Sequence, residues 1–209
     1  MTDTTFRALG PGDEAMLETF LAKTPESSMF LRANLARAGI VYGGQPFQGT
    51  YVGAFQGERL VGTAALYWNG NLMLQCPTAL APKLVGETLA AALPRPASGL
   101  LGPTAQVEAA IEIPPFSLRR ARLASRQELF ALPLAHFAMP ALPGPAYAVG
   151  LATDADRPLL REWRYAYVRE VLAWPESDGS RRKAADEIDR TLDDANGYCL
   201  LYTSPSPRD

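Results

Sequence analysis

The chain has 209 residues, 47% of them hydrophobic and 20% charged, with a formal net charge of -2. That balance suits a globular protein with one large core or two modest ones, and it offers no basic patch for nucleic acid or an anionic membrane. Apolar runs are short and broken, and the start, MTDTTFRALGPGD, lacks the basic and apolar regions of a secretory signal, so neither a membrane span nor export is expected and the cytoplasm is the expected compartment.

TTFRAL alternates polar and apolar residues and predicts a short strand. GPGD turns the chain, and Asp13 is placed to cap a helix running to Leu21, with Met16, Leu17, Phe20 and Leu21 on one face. Ser27 or Ser28 can cap a second helix, MFLRANLARAG, in which Leu31 and Leu35 repeat at four and Gly39 suits the C-terminal cap. Three antiparallel strands follow. Tyr51 to Phe55, Leu60 to Trp68 and Leu72 to Leu74 are separated by a Gln-Gly turn and by Asn69-Gly70, a strong hairpin signal.

ALAPKLVGETLAAAL carries Leu80, Leu84, Leu89 and Leu93 at near-helical spacing. SGLLGP predicts a short buried strand, TAQVEAAIEI a helix capped by Thr104, and RQELFALPL a further strand. The expected order is β-α-α-β-β-β-α-β-α-β. It implies a mixed α/β layer fold rather than a doubly wound parallel sheet.

Prolines 140, 143 and 145 then cluster and place a domain boundary near Gly144. Beyond it the pattern restarts. AYAVGLATDAD predicts a strand and turn, and Asp154 or Asp156 introduces a helix with Leu159, Leu160, Trp163, Tyr167 and Val171 on one apolar stripe. SRRKAADEIDRTLDDANG predicts a second helix, with Ala184, Ile188 and Leu192 in line, and YCLL opens the next strand. Residues 146–200 thus echo residues 4–55 by pattern.

Little in the composition advertises chemistry. Cys76 and Cys199 are the two cysteines, too few for a disulfide framework or a thiolate zinc site. His136, the one histidine, lies in the apolar LPLAHFAMP and reads as a packed or a surface histidine rather than as part of Ser-His-Asp catalysis or a metal site. YWNGN reads as a turn with flanking aromatics, GLLGP as a tight strand-to-helix turn, and the arginines of LRRARLASR as a solvent-facing loop.

The element order, with the phrases MFLRANLARAG, QGTYVGAF, ALYWNGNLMLQCP, GLLGPTAQV, SRQELFALPL and REWRYAYVREVL, resembles the GNAT superfamily of acyl-CoA-dependent N-acyltransferases. The likeness is to a two-half bacterial type, with a degenerate N-terminal half at 1–143 and the start of a catalytic half at 144–198. The resemblance implies acetyl-CoA as co-substrate, a small-molecule or peptide amine as acceptor, and no metal. It also implies a pyrophosphate loop of pattern Arg/Gln-x-x-Gly-x-Gly/Ala at a helix N-terminus, between splayed central strands.

The matching loop here, QCPTALAPKL, has no glycine, and its Pro77 and Pro82 have no N–H to donate. The first half is therefore expected to serve as scaffold. No cofactor-binding residue is expected in this chain, which is expected to be inactive as given. The alternative is a GNAT-like binding or scaffold module without catalysis.

In WRYAYVRE, Arg164, Tyr167 and Glu170 follow at intervals of three. The family places its acceptor side on these helices, so Glu170 is the candidate to hold a substrate amine and Arg164 a substrate carboxylate, with Tyr167 between them. The plainer alternative makes Trp163, Tyr167 and Val171 core, with Arg164 and Glu170 on its rim. The identities of acyl group, acceptor and oligomer stay open, as do the catalytic residues.

The last stretch, CLLYTSPSPRD at 199–209, back-translates codon for codon into a sequence resembling the transposase adapter of sequencing libraries. On that reading it is an artefactual, disordered tail and the natural chain continues differently after Tyr198.

Overall fold

The computed structural model describes residues 3–138, 147–193 and 198–202, and of 147–149 and 198–202 only the backbone. The chain divides into two compact units, Met1–Ala131 and Leu132–Asp209. The predicted boundary at Gly144 falls outside the described residues.

The first unit is a five-stranded sheet in the order β1-β2-β3-β4-β5. Its strands are β1 (Thr4–Ala8), β2 (Gly49–Gln56), β3 (Arg59–Tyr67), β4 (Asn71–Gln75) and β5 (Gly99–Leu101). The first four pair antiparallel with their neighbours, and β5 pairs parallel with β4. Helices α1 (Glu14–Leu21) and α2 (Met29–Ala38) connect β1 to β2, α3 (Ala81–Ala91) connects β4 to β5, and α4 (Thr104–Ala110) follows β5.

The sheet is covered on both faces, so its central strands are largely apolar on both rather than alternating, and the buried Thr63 donates its hydroxyl to the Val52 carbonyl at 3.0 Å. Val52, Ala54, Ala64, Leu66, Leu72 and Leu74 pack with Leu84 and Val85 of α3 and Ala110 of α4. Tyr51, Phe55, Leu60, Ala65 and Tyr67 pack with Leu17 and Leu21 of α1 and Leu31 and Leu35 of α2. Ala54 pairs with Gly62 but Phe55 with Leu60, so Val61 is an extra residue in β3. This bulge inverts the side-chain parity of β3 and puts both Leu60 and Ala65 on the same face. Gly62 beside it touches β4's end so closely that a Cβ there would lie 2.6 Å from Cys76 Cβ.

The three antiparallel strands and both hairpin turns stand where the pattern places them. Several local expectations are corrected. Asp13 does not cap α1 with its side chain. Its carboxylate instead takes two hydrogen bonds from Arg7, each 2.7 Å, and one from the Gly10 N–H at 2.9 Å, tying the end of β1 to the turn. Thr104 is the first residue of α4, and Pro103 occupies the cap position. β5 is only partly buried. RQELFALPL forms no strand: residues 126–133 have no regular secondary structure, Leu134 begins a 3-10 turn, and Phe130 is 86% exposed.

The second unit holds β6 (Tyr147–Leu151), α5 (Arg157–Glu170), α6 (Asp178–Asp193) and β7 (Tyr198–Tyr202). β6 and β7 pair antiparallel over five residues, from Tyr147 opposite Tyr202 to Leu151 opposite Tyr198. In the first unit β1 and β2 likewise pair antiparallel across two helices, from Thr4 opposite Gln56 to Ala8 opposite Val52. Residues 199–202, expected to lie in a disordered tail, form most of β7. Cys-Leu-Leu-Tyr is an apolar, β-prone run, and β6 offers it an edge.

Candidate functional site

The α5–α6 helix pair carries all three candidate residues. It begins at a capping box. The Asp156 carboxylate accepts from both the backbone N–H and the hydroxyl of Thr153, each at 2.8 Å. The backbone hydrogen bond, then that of the hydroxyl, holds this carboxyl below the ordinary aspartate range.

The helix that follows turns an unexpected face inward. Tyr165 and Val168 are buried with Ala184 of α6. Of the predicted core stripe, Leu160 is half-buried, while Leu159, Trp163, Tyr167 and Val171 are 44–55% exposed. Three arginines of α5 also reach α6. Arg157 and Arg161 both bind the Asp189 carboxylate, at 2.8 and 2.6 Å. Asp189 is held below its usual range by its hydrogen bonds, that of Arg161 first. The hydrogen bonds of Asp154 and then Asp189 raise Arg157. Arg181 reaches back from α6 to Glu162 at 2.5 Å.

The three candidate residues are not equally available. The Arg164 guanidinium is engaged by Glu187 of α6, at 2.7 and 2.8 Å to the same oxygen, with both side chains about two-thirds to three-quarters covered. It also lies 5.3 Å from the Tyr167 ring centre. Tyr167 stands in solvent beside it. Glu170 is exposed and lines a shallow pocket of about 290 Å³ with Ala166, Arg169, Trp174 and Glu176. Tyr167 and Glu170 are therefore free to meet a ligand, whereas Arg164 joins the helices.

Trp174, Arg169 and Glu176 were not singled out by the sequence reading. The signal that could have found them is the break at Trp174-Pro175, which folds the chain back over the end of α5. There the Trp174 N–H donates to the Val168 carbonyl at 3.0 Å. Arg169 pairs with Glu176 at 2.9 Å, and Lys183 lies 4.4 Å from the Trp174 ring centre. The pocket thus brings together one aromatic ring, already faced by Lys183, and two carboxylates, of which Glu176 is paired to Arg169.

The first unit is closed where the family resemblance would place a cofactor. β4 and β5 pair through Asn71, Leu72 and Met73 only. Past them, Gly102 sits so close to Leu74 that a Cβ would lie 2.8 Å from its side chain. The Cys76 N–H at the end of β4 is taken by Gln106 of α4, at 3.0 Å to Oε1. α3 then starts at Ala81 with Pro82 in its first turn and no side-chain cap.

The reactive-looking groups of this unit are sealed. Burial pushes the Cys76 thiol up to about 12, so it is not a nucleophile at neutral pH. Tyr51 and Tyr67 share a hydrogen bond of 3.0 Å between their hydroxyls, and burial raises both phenols, Tyr51 to about 12. In YWNGN, Tyr67 is thus core, while Trp68 packs on Phe47 at 4.9 Å between ring centres. Of the arginines in LRRARLASR, Arg126 pairs with Glu108 of α4.

Among the described residues no group of three or more His, Cys, Asp and Glu side chains is placed to hold a metal ion, and no helix is long and apolar enough to cross a membrane. No family model matches this chain, and neither the curated proteins nor the solved structures give a match.

Proposed function

We propose that this chain is part of an acyl-CoA-dependent N-acyltransferase of the GNAT type, which moves an acetyl group from acetyl-CoA to an amine. On this reading the first unit is a scaffold and the second begins the catalytic half. The observation that carries the proposal is the repeated strand-helix-helix order: β1 leads through α1 and α2 to its antiparallel partner β2, and β6 leads again into two helices, α5 and α6. Glu170, with Tyr167 beside it, is the proposed contact for the acceptor amine, and Arg164 positions that helix through Glu187.

The first unit takes no acetyl-CoA on this reading, because Gln106 holds the Cys76 N–H and the following loop contains Pro77 and Pro82. The acyl-CoA site would be formed by strands and a glycine-bearing loop that follow the second strand-helix-helix unit in the whole protein.

Two measurements test this. Sequencing the source DNA beyond codon 198 should reveal an Arg/Gln-x-x-Gly-x-Gly/Ala motif within a few dozen codons. A stop codon there would favour the alternative, a non-catalytic GNAT-like binding or scaffold module. Calorimetry of acetyl-CoA against the 209-residue chain should show no binding, and stoichiometric binding would overturn the scaffold role of the first unit.

A further inference from the structure

Ser125 closes the run Arg119-Arg120-Ala121-Arg122-Leu123-Ala124-Ser125 and is followed by Arg126. Residues 119–133 belong to no helix or strand, and every residue from Arg119 to Arg126 is exposed. Among the described residues the Ser125 hydroxyl has no hydrogen-bond partner, and Arg119, Arg120 and Arg122 have no ion pair. Arg126 alone is engaged, by Glu108 of α4. The stretch from Ser117 to Gln127 holds four arginines and no acid.

An arginine stands three residues before a serine at one other place in the chain, Arg95 before Ser98. There both partners are built into the fold. Arg95 donates to the Leu66 carbonyl at 3.1 Å and lies 3.6 Å from the Tyr42 ring centre, and the Ser98 hydroxyl donates to the Asn69 carbonyl at 3.2 Å. At Ser125 the arginines and the hydroxyl are all left to solvent, and no local structure has to be undone before another protein takes hold of them.

We propose that Ser125 is a phosphorylation site for an arginine-directed serine kinase, with Arg122 and Arg120, three and five residues before it, as the recognised pair. When this stretch is drawn out in a kinase cleft, residues two apart share a face. Arg120 and Arg122 then meet the same carboxylate-lined wall, which is how charge patterns select kinase substrates. The Ser125 oxygen attacks the γ-phosphorus of ATP, the bond to ADP breaks, and the hydroxyl proton passes to the kinase's catalytic base. The phosphate brings a charge of about -1.5 to -2 into the four-arginine stretch. It also gives Arg126 a more highly charged neighbour than Glu108. This inference does not depend on the acyltransferase reading.

Incubation of the whole 209-residue chain with magnesium, ATP and purified protein kinase B, a kinase that selects arginines at these two positions, tests this. Peptide mass spectrometry should find one phosphate, on Ser125, with Ser98 unlabelled. Ser125→Ala should remove the label. Arg122→Ala and Arg120→Ala should each lower kcat/KM about tenfold, and Arg119→Ala less than about twofold. A synthetic peptide of residues 117–130 should react within about tenfold of the folded chain, because the fold leaves Ser125 open. A folded chain slower than the peptide by more than that would overturn the proposal. So would equal labelling of the Ser125→Ala chain, or arginine variants that react at the full rate. The same arginine changes made in the peptide keep the test intact where a variant chain fails to fold.

Discussion

Gln106 and Cys76 lie thirty residues apart, and the side-chain Oε1 of one accepts the backbone N–H of the other at 3.0 Å in a buried setting. The bond joins α4 to the end of β4 where the β4–β5 ladder has already stopped. Replacing Gln106 by Leu keeps the size and strands the N–H. The expected loss is about 1–3 kcal/mol of stability, the cost of a buried unsatisfied donor. Urea unfolding should show a lower midpoint with an unchanged slope, and an unchanged midpoint would mean that the N–H finds another partner.

Gly62 gives a sharper packing test. An added Cβ would sit 2.6 Å from the Cβ of Cys76. Gly62→Ala should therefore cost about 1–3 kcal/mol by overpacking. The clash is with Cβ and not with sulfur, so Cys76→Ala should fail to rescue it. Rescue by that second change would place the strain elsewhere.

The acid limb of stability should carry the mark of Asp13. Its hydrogen bond from Arg7, with that from Gly10, lowers its carboxyl from 3.8 to about 2. A depressed folded value stabilises above the unfolded one, so the contribution is full above about pH 4 and is lost as pH falls through about 2. Asp13→Asn should flatten that limb in a pH series of thermal melts. An identical acid limb in the variant would remove Asp13 from the explanation.

The base limb runs the other way. Burial raises Cys76 from 9 to about 12 and Tyr51 from 10 to about 12. Groups raised in the fold stabilise it below their unfolded values, so stability should start to fall near pH 9 and continue falling to about 12. Thiol titration at pH 8 should find Cys76 unreactive until the first unit unfolds. Prompt labelling in the folded protein would contradict its burial.

Arg164 and Glu170 separate structural from ligand-contacting behaviour. Arg164→Ala breaks the pair with Glu187 and should cost about 1 kcal/mol in the α5–α6 helix pair. Glu170→Gln should change stability by less than about 0.5 kcal/mol. Under the proposed N-acyltransferase function, it should raise the KM of the whole protein for the amine about tenfold while Arg164→Lys keeps it near normal. A Glu170→Gln protein with unaltered KM would leave the proposed amine contact without support.

Much of the first unit was legible because its residues obey local rules. The alternation in β1, the Asn69-Gly70 turn and Gly39, with φ 73° at the end of α2, each specify their element without help from afar. α5 misled for a physical reason. Leu159, Trp163, Tyr167 and Val171 form a good apolar stripe, but the partner helix α6 offers Glu187, Asp189 and Ala184, and the arginines turn toward it instead. Periodicity reports which residues share a face and not which face a neighbour wants. The pocket beside Glu170 was equally hidden, since it depends on a chain reversal at Trp174 that brings non-periodic residues together.

The small core of the second unit has a consequence for how this protein is watched. Among the described residues, only Tyr165, Val168 and Ala184 are buried there, against two large clusters in the first unit. Yet two of the three tryptophans, Trp163 and Trp174, sit in that smaller unit, one of them 55% exposed. Intrinsic fluorescence will therefore report on both units at once, Trp68 on the sheet of the first and Trp174 on the α5–α6 pair of the second.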